Sequence, residues 1–217
     1  MSGFQVYNQY GALTIDGTNK SIATSQYLGR LPVIDVGSVV FVNGTAFGNG
    51  TSLGWLQNPL PRGGMKWWRP LVNGAWGMPG SSLYTPNSGD FMVSSVNTTL
   101  QSGFLDVFNE GGQLVWSAAS AGTMPRIMDF ITIPAGHNLA NTITVNTLFP
   151  NPWICISQCP GESSEAGEGT GGYSGIIIRR NNESNLSIQY INRNQNNYMN
   201  AMGGGELKIA LAYFTGY

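Results

Sequence analysis

The residue types that most often catalyse reactions are scarce in this chain, and their spacing matches no catalytic motif. His137 is the only histidine among 217 residues, and no Gly-x-Ser-x-Gly elbow accompanies it to complete a Ser/His/Asp triad. Cys155 and Cys159 are separated by three residues, which fits neither a CxxC redox motif nor half of a structural zinc site. We therefore predict reduced structural thiols, no catalytic residue, no bound metal and no cofactor.

Paired carboxylates are the remaining route to catalysis, because a glycosidase needs only two of them across a groove. Asp90 and Asp106 are candidates, but nothing in their spacing brings them together. Glu162, Glu165 and Glu168 recur at intervals of three in a glycine-rich stretch. That spacing fits no calcium-binding loop, so a solvated acidic loop is expected there. The chain is predicted to be no enzyme, with a glycosidase as the last alternative.

Tryptophan supplies the sharpest local feature, since four of the six tryptophans lie within residues 55–76. Successive residues of a strand point to opposite faces, so one of the adjacent Trp67 and Trp68 can enter a core while the other faces outward. Three roles are open for the cluster: core packing, a protein interface, where Trp and Arg are common hot spots, or stacking on a sugar ring. The candidate interface or ligand residues are Trp55, Trp67, Trp68, Arg69 and Trp76.

The charge content argues against two kinds of partner. Charged residues make up 10% of the chain, against roughly 25% in an average domain, and the formal net charge is -1. The Lys and Arg residues are scattered, so no basic face is predicted to bind nucleic acid. Long apolar runs and a signal-peptide pattern are both missing, so neither membrane insertion nor export is expected. A surface with so few charges is partly neutral or apolar, which favours contact with another protein.

The composition predicts strands and turns. The 30 glycines and 11 prolines punctuate the chain often, and both residue types disfavour helix interiors. The one helical candidate is a turn or two at residues 199–202. Short runs rich in β-branched and aromatic residues predict strands; they lie at residues 36–42, 91–96, 127–133, 142–148, 153–157, 176–180, 186–191 and 207–214.

Three stretches are predicted to be loops or insertions, and one of them is residues 192–205, which are Asn-rich and then Gly-rich. Residues 43–90 contain so many Asn-Gly, Pro-Gly and Asn-Pro pairs that only brief strands are expected there, with a Trp/Gly/Pro-rich insertion at residues 54–90. Residues 160–175 have almost no apolar side chain to bury and are predicted to form an exposed loop.

An internal repeat relates the two parts of the chain. Ser2-Gly3-Phe4 followed by Val6-Tyr7-Asn8 returns about one hundred residues later as Ser102-Gly103-Phe104 followed by Val107-Phe108-Asn109. Each copy predicts a β-hairpin, because an Asn with a Gly three residues later suits a four-residue connection. Weaker similarity extends the copies to about residues 2–42 and 102–133.

The predicted fold is an all-β antiparallel β-sandwich, jelly-roll-like or immunoglobulin-like, with two related hairpin halves and long loops. Residues 1–217 are expected to form one all-β unit or two closely packed β halves.

The first hairpin, residues 2–16 (SGFQVYNQYGALTID), resembles small structural proteins of tailed bacteriophages. Those proteins often open with a glycine, an apolar-x-Val-aromatic-Asn strand, a Gly turn and an apolar-x-apolar-Asp return strand. Residues 102–116, Met124-Pro125-Arg126-Ile127 and residues 212–217 (AYFTGY) are also similar to that group. The similarity covers about a quarter of the chain, and the Trp-rich segment has no counterpart in it.

The resemblance implies a non-catalytic virion component of the tail tip or tail fibres, made in the host cytoplasm and assembled with other phage virion proteins. A homo-oligomer is expected, with a trimer as the fibre-like stoichiometry. Two alternatives stay open: a receptor-binding, lectin-like module that attaches to a host-surface glycan, and a capsid decoration protein.

Overall fold

The structure is a computed structural model of the chain. It describes residues 5–7, 13–30, 39–42, 45–49, 51–52, 64–81, 83–137, 141–164, 172–192 and 205–217. The predicted helical turn at residues 199–202 lies outside these ranges. Every strand pair in the described residues is antiparallel, and their helical structure is limited to three 3₁₀ turns, Pro79–Ser81, Ala118–Thr123 and Ile156–Gln158. No helix among them is long and apolar enough to cross a membrane.

Two large sheets make up the body of the fold. The six-stranded sheet runs, in spatial order, β13 (Arg126–Ile133), β19 (Leu207–Tyr213), β15 (Trp153–Cys155), β7 (Gly64–Pro70), β10 (Gly89–Ser95) and β3 (Ala23–Arg30). The seven-stranded sheet runs β14 (Ile143–Asn146), β18 (Asn185–Asn192), β17 (Gly172–Asn182), β8 (Trp76–Met78), β9 (Leu83–Tyr84) and β6 (Thr51–Ser52), with β16 (Gly161–Ser164) paired to β17.

Three hairpins accompany the two large sheets. They are β1 (Gln5–Tyr7) with β2 (Leu13–Asp16), β4 (Val39–Val42) with β5 (Thr45–Asn49), and β11 (Asp106–Phe108) with β12 (Leu114–Ser117).

The main core lies between the two large sheets. One contiguous cluster joins inward side chains of the six-stranded sheet, such as Ile131 and Ile209, with Ile176, Ile178 and Ile188 of the seven-stranded sheet. Alternate residues of each strand enter this cluster, as the two-residue period of a strand requires. The all-β antiparallel sandwich predicted from the sequence is confirmed.

A second apolar layer covers the outer face of the six-stranded sheet. It contains Trp67, Met92, Trp153 and Cys155, and Phe214 from the residues after β19 packs into it. The central strands of this sheet are therefore buried on both faces, and the six-stranded sheet is a middle layer at this point.

Most predicted strands are present. Those predicted at 91–96, 127–133, 153–157, 176–180, 186–191 and 207–214 correspond to β10, β13, β15, β17, β18 and β19. The strand predicted at 142–148 is the shorter β14, and β4 is the described part of the one predicted at 36–42.

Two loop predictions need correction. The segment predicted to be a Trp/Gly/Pro-rich insertion, residues 54–90, includes β7, which lies in the middle of the six-stranded sheet, paired to both β10 and β15. The predicted exposed loop at 160–175 contains β16, which pairs with the start of β17, so the described part of that segment extends the second sheet. In the first segment β7 pairs with strands that lie further along the chain, and local composition does not reveal such partners.

Both predicted repeat hairpins are present and share a register. Val6 pairs with Ile15 in the first hairpin, and Val107 pairs with Trp116 in the second. In each hairpin the register shifts by one residue directly after that pair. The two hairpins are neighbours, because strand β2 lies beside β12. In the residues that follow β2, the Ser21 N–H donates a hydrogen bond to the Val115 carbonyl oxygen of β12 (2.8 Å). The division of the chain into one unit or two halves stays a prediction.

Candidate interaction site

The tryptophans of β7 are core residues. Trp67 and Trp68 point to opposite faces of the sheet and both are 0% exposed. Trp68 packs against Tyr84 (5.1 Å between ring centroids) in the main core. Trp67 packs edge-on against Phe214 (5.4 Å) in the outer layer, and its Nε1–H donates to the Ser94 hydroxyl (2.7 Å). The hypothesis that one of the pair faces outward is wrong, because both faces of this strand are covered.

The rest of the tryptophan cluster offers no exposed platform in the described residues. Trp76 is buried as well, in β8 of the second sheet. Trp55 lies outside the described residues. The core-packing alternative therefore accounts for Trp67, Trp68 and Trp76, and the interface and sugar-stacking alternatives are wrong for these three side chains in the single chain.

Arg69 of β7 connects the six-stranded sheet to the residues that follow β19. Its Nη2 forms an ion pair with the Asp90 carboxylate (2.6 Å), and its Nη1 donates to the Tyr217 carbonyl oxygen (3.1 Å). The guanidinium lies over the Trp153 ring (4.5 Å to the centroid), a cation–π arrangement. Tyr27 stacks beside Tyr217 (4.8 Å), and its pKa is raised by burial and by the charge of Asp90. Arg69 therefore binds the residues after β19 to the sheet.

The candidate carboxylates are not paired with each other. Asp90 is buried in β10 and bound to Arg69, whereas Asp106 begins β11 and binds the loop in front of it. Among the described residues, no group of three or more His, Cys, Asp or Glu side chains is arranged to hold a metal ion. Burial raises the pKa of the Cys159 thiol, and both cysteines are free thiols.

Exposed apolar side chains mark the surface instead. Two groups of large exposed hydrophobic residues occur in the described residues, apart from isolated ones. We call the first group the hairpin patch; it consists of Phe104, Leu105 and Phe108. The second group lies on and beside the edge strand β13 and consists of Ile127, Met128, Phe130, Leu148 and Tyr213.

Phe104 has an unusual backbone. Its φ is +65°, a left-handed conformation that a bulky residue rarely adopts. The Leu105 N–H donates to the Gly103 carbonyl oxygen (3.0 Å), which makes Phe104 the centre of a classic γ-turn, a rare and strained type. The Phe104 side chain is 102% exposed, so no packing inside the chain compensates for the strain.

A hydrogen-bond network holds this turn. The Asp106 carboxylate accepts from the Ser102 hydroxyl and from the Gly103 N–H (3.1 Å). These bonds, followed by one from Ser117, lower the pKa of Asp106. On the other side, the Ala118 N–H donates to the Leu105 carbonyl oxygen (2.8 Å). The conformation of Phe104 is therefore set before any partner binds.

The other two residues of the hairpin patch follow Phe104 in the chain. Leu105 and Phe108 are more than half exposed, whereas Val107 between them is buried and anchors the strand. An exposed aromatic side chain on a fixed turn, with exposed apolar residues close to it in the chain, has the character of a binding hot spot. The internal repeat includes Ser102-Gly103-Phe104, but it predicts only a hairpin there. The occurrence of the same Ser-Gly-Phe sequence at residues 2–4 is the signal in the sequence that could have drawn attention to Phe104.

The chain belongs to the family described as Domain of unknown function (DUF8377), which matches residues 1–216. No curated protein and no solved structure gave a match.

Proposed function

We propose that this chain is a non-catalytic structural protein of a tailed-bacteriophage virion, associated with the tail tip or tail fibres, that acts by assembling with other virion proteins. The observation that carries the proposal is Phe104, an aromatic side chain that is fully exposed on a strained and hydrogen-bonded turn.

The energetics favour a binding role for Phe104. A non-glycine residue in the left-handed region costs on the order of 1–3 kcal/mol and persists where the surrounding structure enforces it. Glycine at position 104 would adopt φ +65° without strain, so folding alone gives no reason for phenylalanine. Burial of the ring in a pocket of the partner would offset this strain energy at the interface. The fixed turn also reduces the conformational entropy that is lost on binding.

The identity of the partner is inferred from two features of the sequence. The resemblance of residues 2–16 and 102–116 to phage structural proteins makes other virion proteins the expected partners. A chain with 10% charged residues and net charge -1 is also suited to neutral, apolar contacts. We place the protein in the virion after synthesis in the host cytoplasm.

The alternatives differ in their support. Glycan binding loses its tryptophan platform, because Trp67, Trp68 and Trp76 are buried. Capsid decoration shares the assembly mechanism and differs only in the position within the particle.

Particle incorporation tests the proposal. The chain is co-expressed with the other structural proteins of the phage that encodes it, and purified particles are separated into heads and tails. Wild type is expected in the tail fraction. Phe104→Gly, which keeps the turn and removes the ring, is expected to reduce incorporation at least about tenfold, the loss of one modest hot spot.

Phe104→Tyr is the matched control, since it keeps an aromatic ring on the same backbone and should be incorporated normally. Equal incorporation of wild type and Phe104→Gly would show that this residue is not the anchor. Absence of wild type from all particles would overturn the virion proposal, and its presence in heads alone would favour the decoration protein.

A further inference from the structure

One arginine of the seven-stranded sheet is buried without an acidic partner. Arg180 belongs to β17, where it follows Ile176 and Ile178 in the two-residue alternation that faces the main core. The Arg180 residue is 7% exposed, and no carboxylate of the described residues forms an ion pair with it. Burial of a charge is costly unless the charge is paired. A guanidinium at this position is therefore costly for folding unless an anion accompanies it.

Two side-chain amides stand where a carboxylate would be expected. The Arg180 Nη1 donates to Asn73 Oδ1, and the Arg180 Nη2 donates to Asn151 Oδ1 (2.8 Å). An amide oxygen accepts a hydrogen bond but has no net charge, so these contacts satisfy two donors and form no ion pair. Each terminal nitrogen of a guanidinium carries a second N–H. Among the described residues, these two contacts are the acceptors that the terminal nitrogens have.

The backbone holds both amides in position. Gly74, directly after Asn73, has a φ of +81°, and its N–H donates to the Arg180 carbonyl oxygen (2.8 Å). Asn151 has a φ of +50°, and its N–H donates to the Glu183 carbonyl oxygen (2.6 Å). Both residues are in the left-handed region, which few residue types other than Gly and Asn adopt easily. The guanidinium is therefore fixed between the β7–β8 and β14–β15 connections.

The surroundings of this guanidinium favour a negative ligand. Asn73 is exposed, so the group that binds Arg180 from one side is in contact with solvent. A Cβ built on Gly74 would lie 3.9 Å from Arg179 Nη2, which brings a second guanidinium to the same turn. Burial lowers the pKa of Arg180, and the charge of the exposed Glu183 opposes that change. A small anion would oppose it further and would offset the cost of burial.

We propose that Arg180 binds an oxyanion, either a phosphate or the carboxylate of an acidic sugar, at the end of the sandwich where these two connections meet β17. Two oxygens of one anion match the planar fork of N–H groups that a guanidinium presents. The anion supplies the negative charge that Asn73 and Asn151 lack. This site does not involve Phe104, and the inference does not rest on the virion role.

Anion titration of the full chain tests the inference. Sodium phosphate is added against sodium chloride at equal ionic strength, and NMR should show the Gly74 and Arg180 amide signals moving to a plateau. The melting temperature should rise by about 3–6 °C when the anion is at about ten times its dissociation constant. Sodium glucuronate is the probe for an acidic sugar, with glucose as its neutral control. A response to phosphate alone would assign the site to phosphate, and a response to glucuronate alone would assign it to an acidic sugar.

Asn73→Asp separates a specific site from the general stabilisation of proteins by phosphate. Its carboxylate would occupy the position that already accepts from Arg180 Nη1. The variant should therefore melt at a higher temperature than wild type without added anion, and its NMR response should disappear. Asn182→Asp is the matched control, because it adds the same charge to the end of β17 but its Oδ1 accepts from the Ser184 N–H (2.9 Å). The control should respond to the anion as wild type does.

The test rests on Asn73→Asp because Arg180→Ala would leave two amide oxygens without their donor and can unfold the chain. Equal anion responses in wild type and Asn73→Asp would overturn the site, since the effect would then be a general one. NMR shifts that reach no plateau with phosphate or with glucuronate would overturn it as well.

Discussion

Strand β7 and the turn at Phe104 are both rich in bulky apolar side chains, and the fold treats them in opposite ways. In β7, Trp67 and Trp68 are wholly buried, one on each face of the sheet. At the turn, Phe104 and Leu105 face solvent on a backbone that is held in place by polar groups. The difference shows that aromatic residues become core or surface according to the layers around them, since each face of β7 has a cover and the γ-turn has none.

The two regions also differ in how strain is distributed. The residues of β7 are in ordinary paired strand geometry, with partners on both sides in β10 and β15. Phe104 has a positive φ, and its fully exposed side chain makes no packing contact that would compensate for the backbone strain. We expect stability to depend on the first region and the proposed binding to depend on the second, so substitutions should affect the two properties separately.

The largest expected effect is that of Trp68→Ala. It removes a ring that contacts Tyr84 and Phe91 in the main core, so the free energy of unfolding should fall by about 3–5 kcal/mol. Urea denaturation followed by circular dichroism measures this loss. Phe104→Ala serves as the exposed control and should change stability by less than about 1 kcal/mol. Equal losses in both variants would abolish the contrast between the regions.

Gly89→Ala should come next, because the backbone beside β7 leaves no room for a methyl group. A Cβ at position 89 would lie 2.3 Å from the Arg69 carbonyl oxygen and 2.8 Å from Trp68 Nε1. We expect a loss of about 1–3 kcal/mol, measured by thermal and urea unfolding. Gly111→Ala is the matched control, since its Cβ would meet only Asn109 Oδ1 at 3.5 Å. A Gly89→Ala variant as stable as the control would show that strand β7 is loosely packed.

Phe104→Gly should stabilise the isolated chain. Relief of the left-handed strain outweighs the added entropy of glycine in the unfolded chain, and the expected gain is about 1 kcal/mol. Thermal unfolding measures the gain, and Phe108→Gly, in strand β11, should lose stability instead. A loss in both variants would mean that Phe104 contributes to folding.

The smallest expected effect is a local response to pH at the turn. The hydrogen bonds from Ser102, Gly103 and Ser117 lower the pKa of Asp106 from its ordinary value of 3.8. At pH values above that ordinary pKa the carboxylate is charged and stabilises the turn. Its contribution is lost as the pH falls through the lowered pKa. NMR should show the Gly103 amide signal moving with a midpoint below 3.8. Asp106→Asn should remove the transition, and a midpoint at or above the ordinary value would contradict the network.

Part of this fold was predictable because its signals are local. Glycine, proline and asparagine at the turns, and β-branched runs between them, are enough to indicate an all-β chain and strands such as β10, β17 and β18. The repeat predicted both β1–β2 and β11–β12, because a hairpin is made by neighbouring residues. The position of Phe104 within such a motif was visible too, but its exposure was not.

What the sequence by itself determined is the set of short strands and tight turns, since backbone preferences act within a few residues. Only the tertiary structure decided that β7 is central and that its tryptophans are covered on both faces, because those covers come from residues far along the chain, such as Tyr84 and Phe214. The exposure of Phe104 was decided at the same level, since burial depends on which distant layers meet a side chain and which leave it in water.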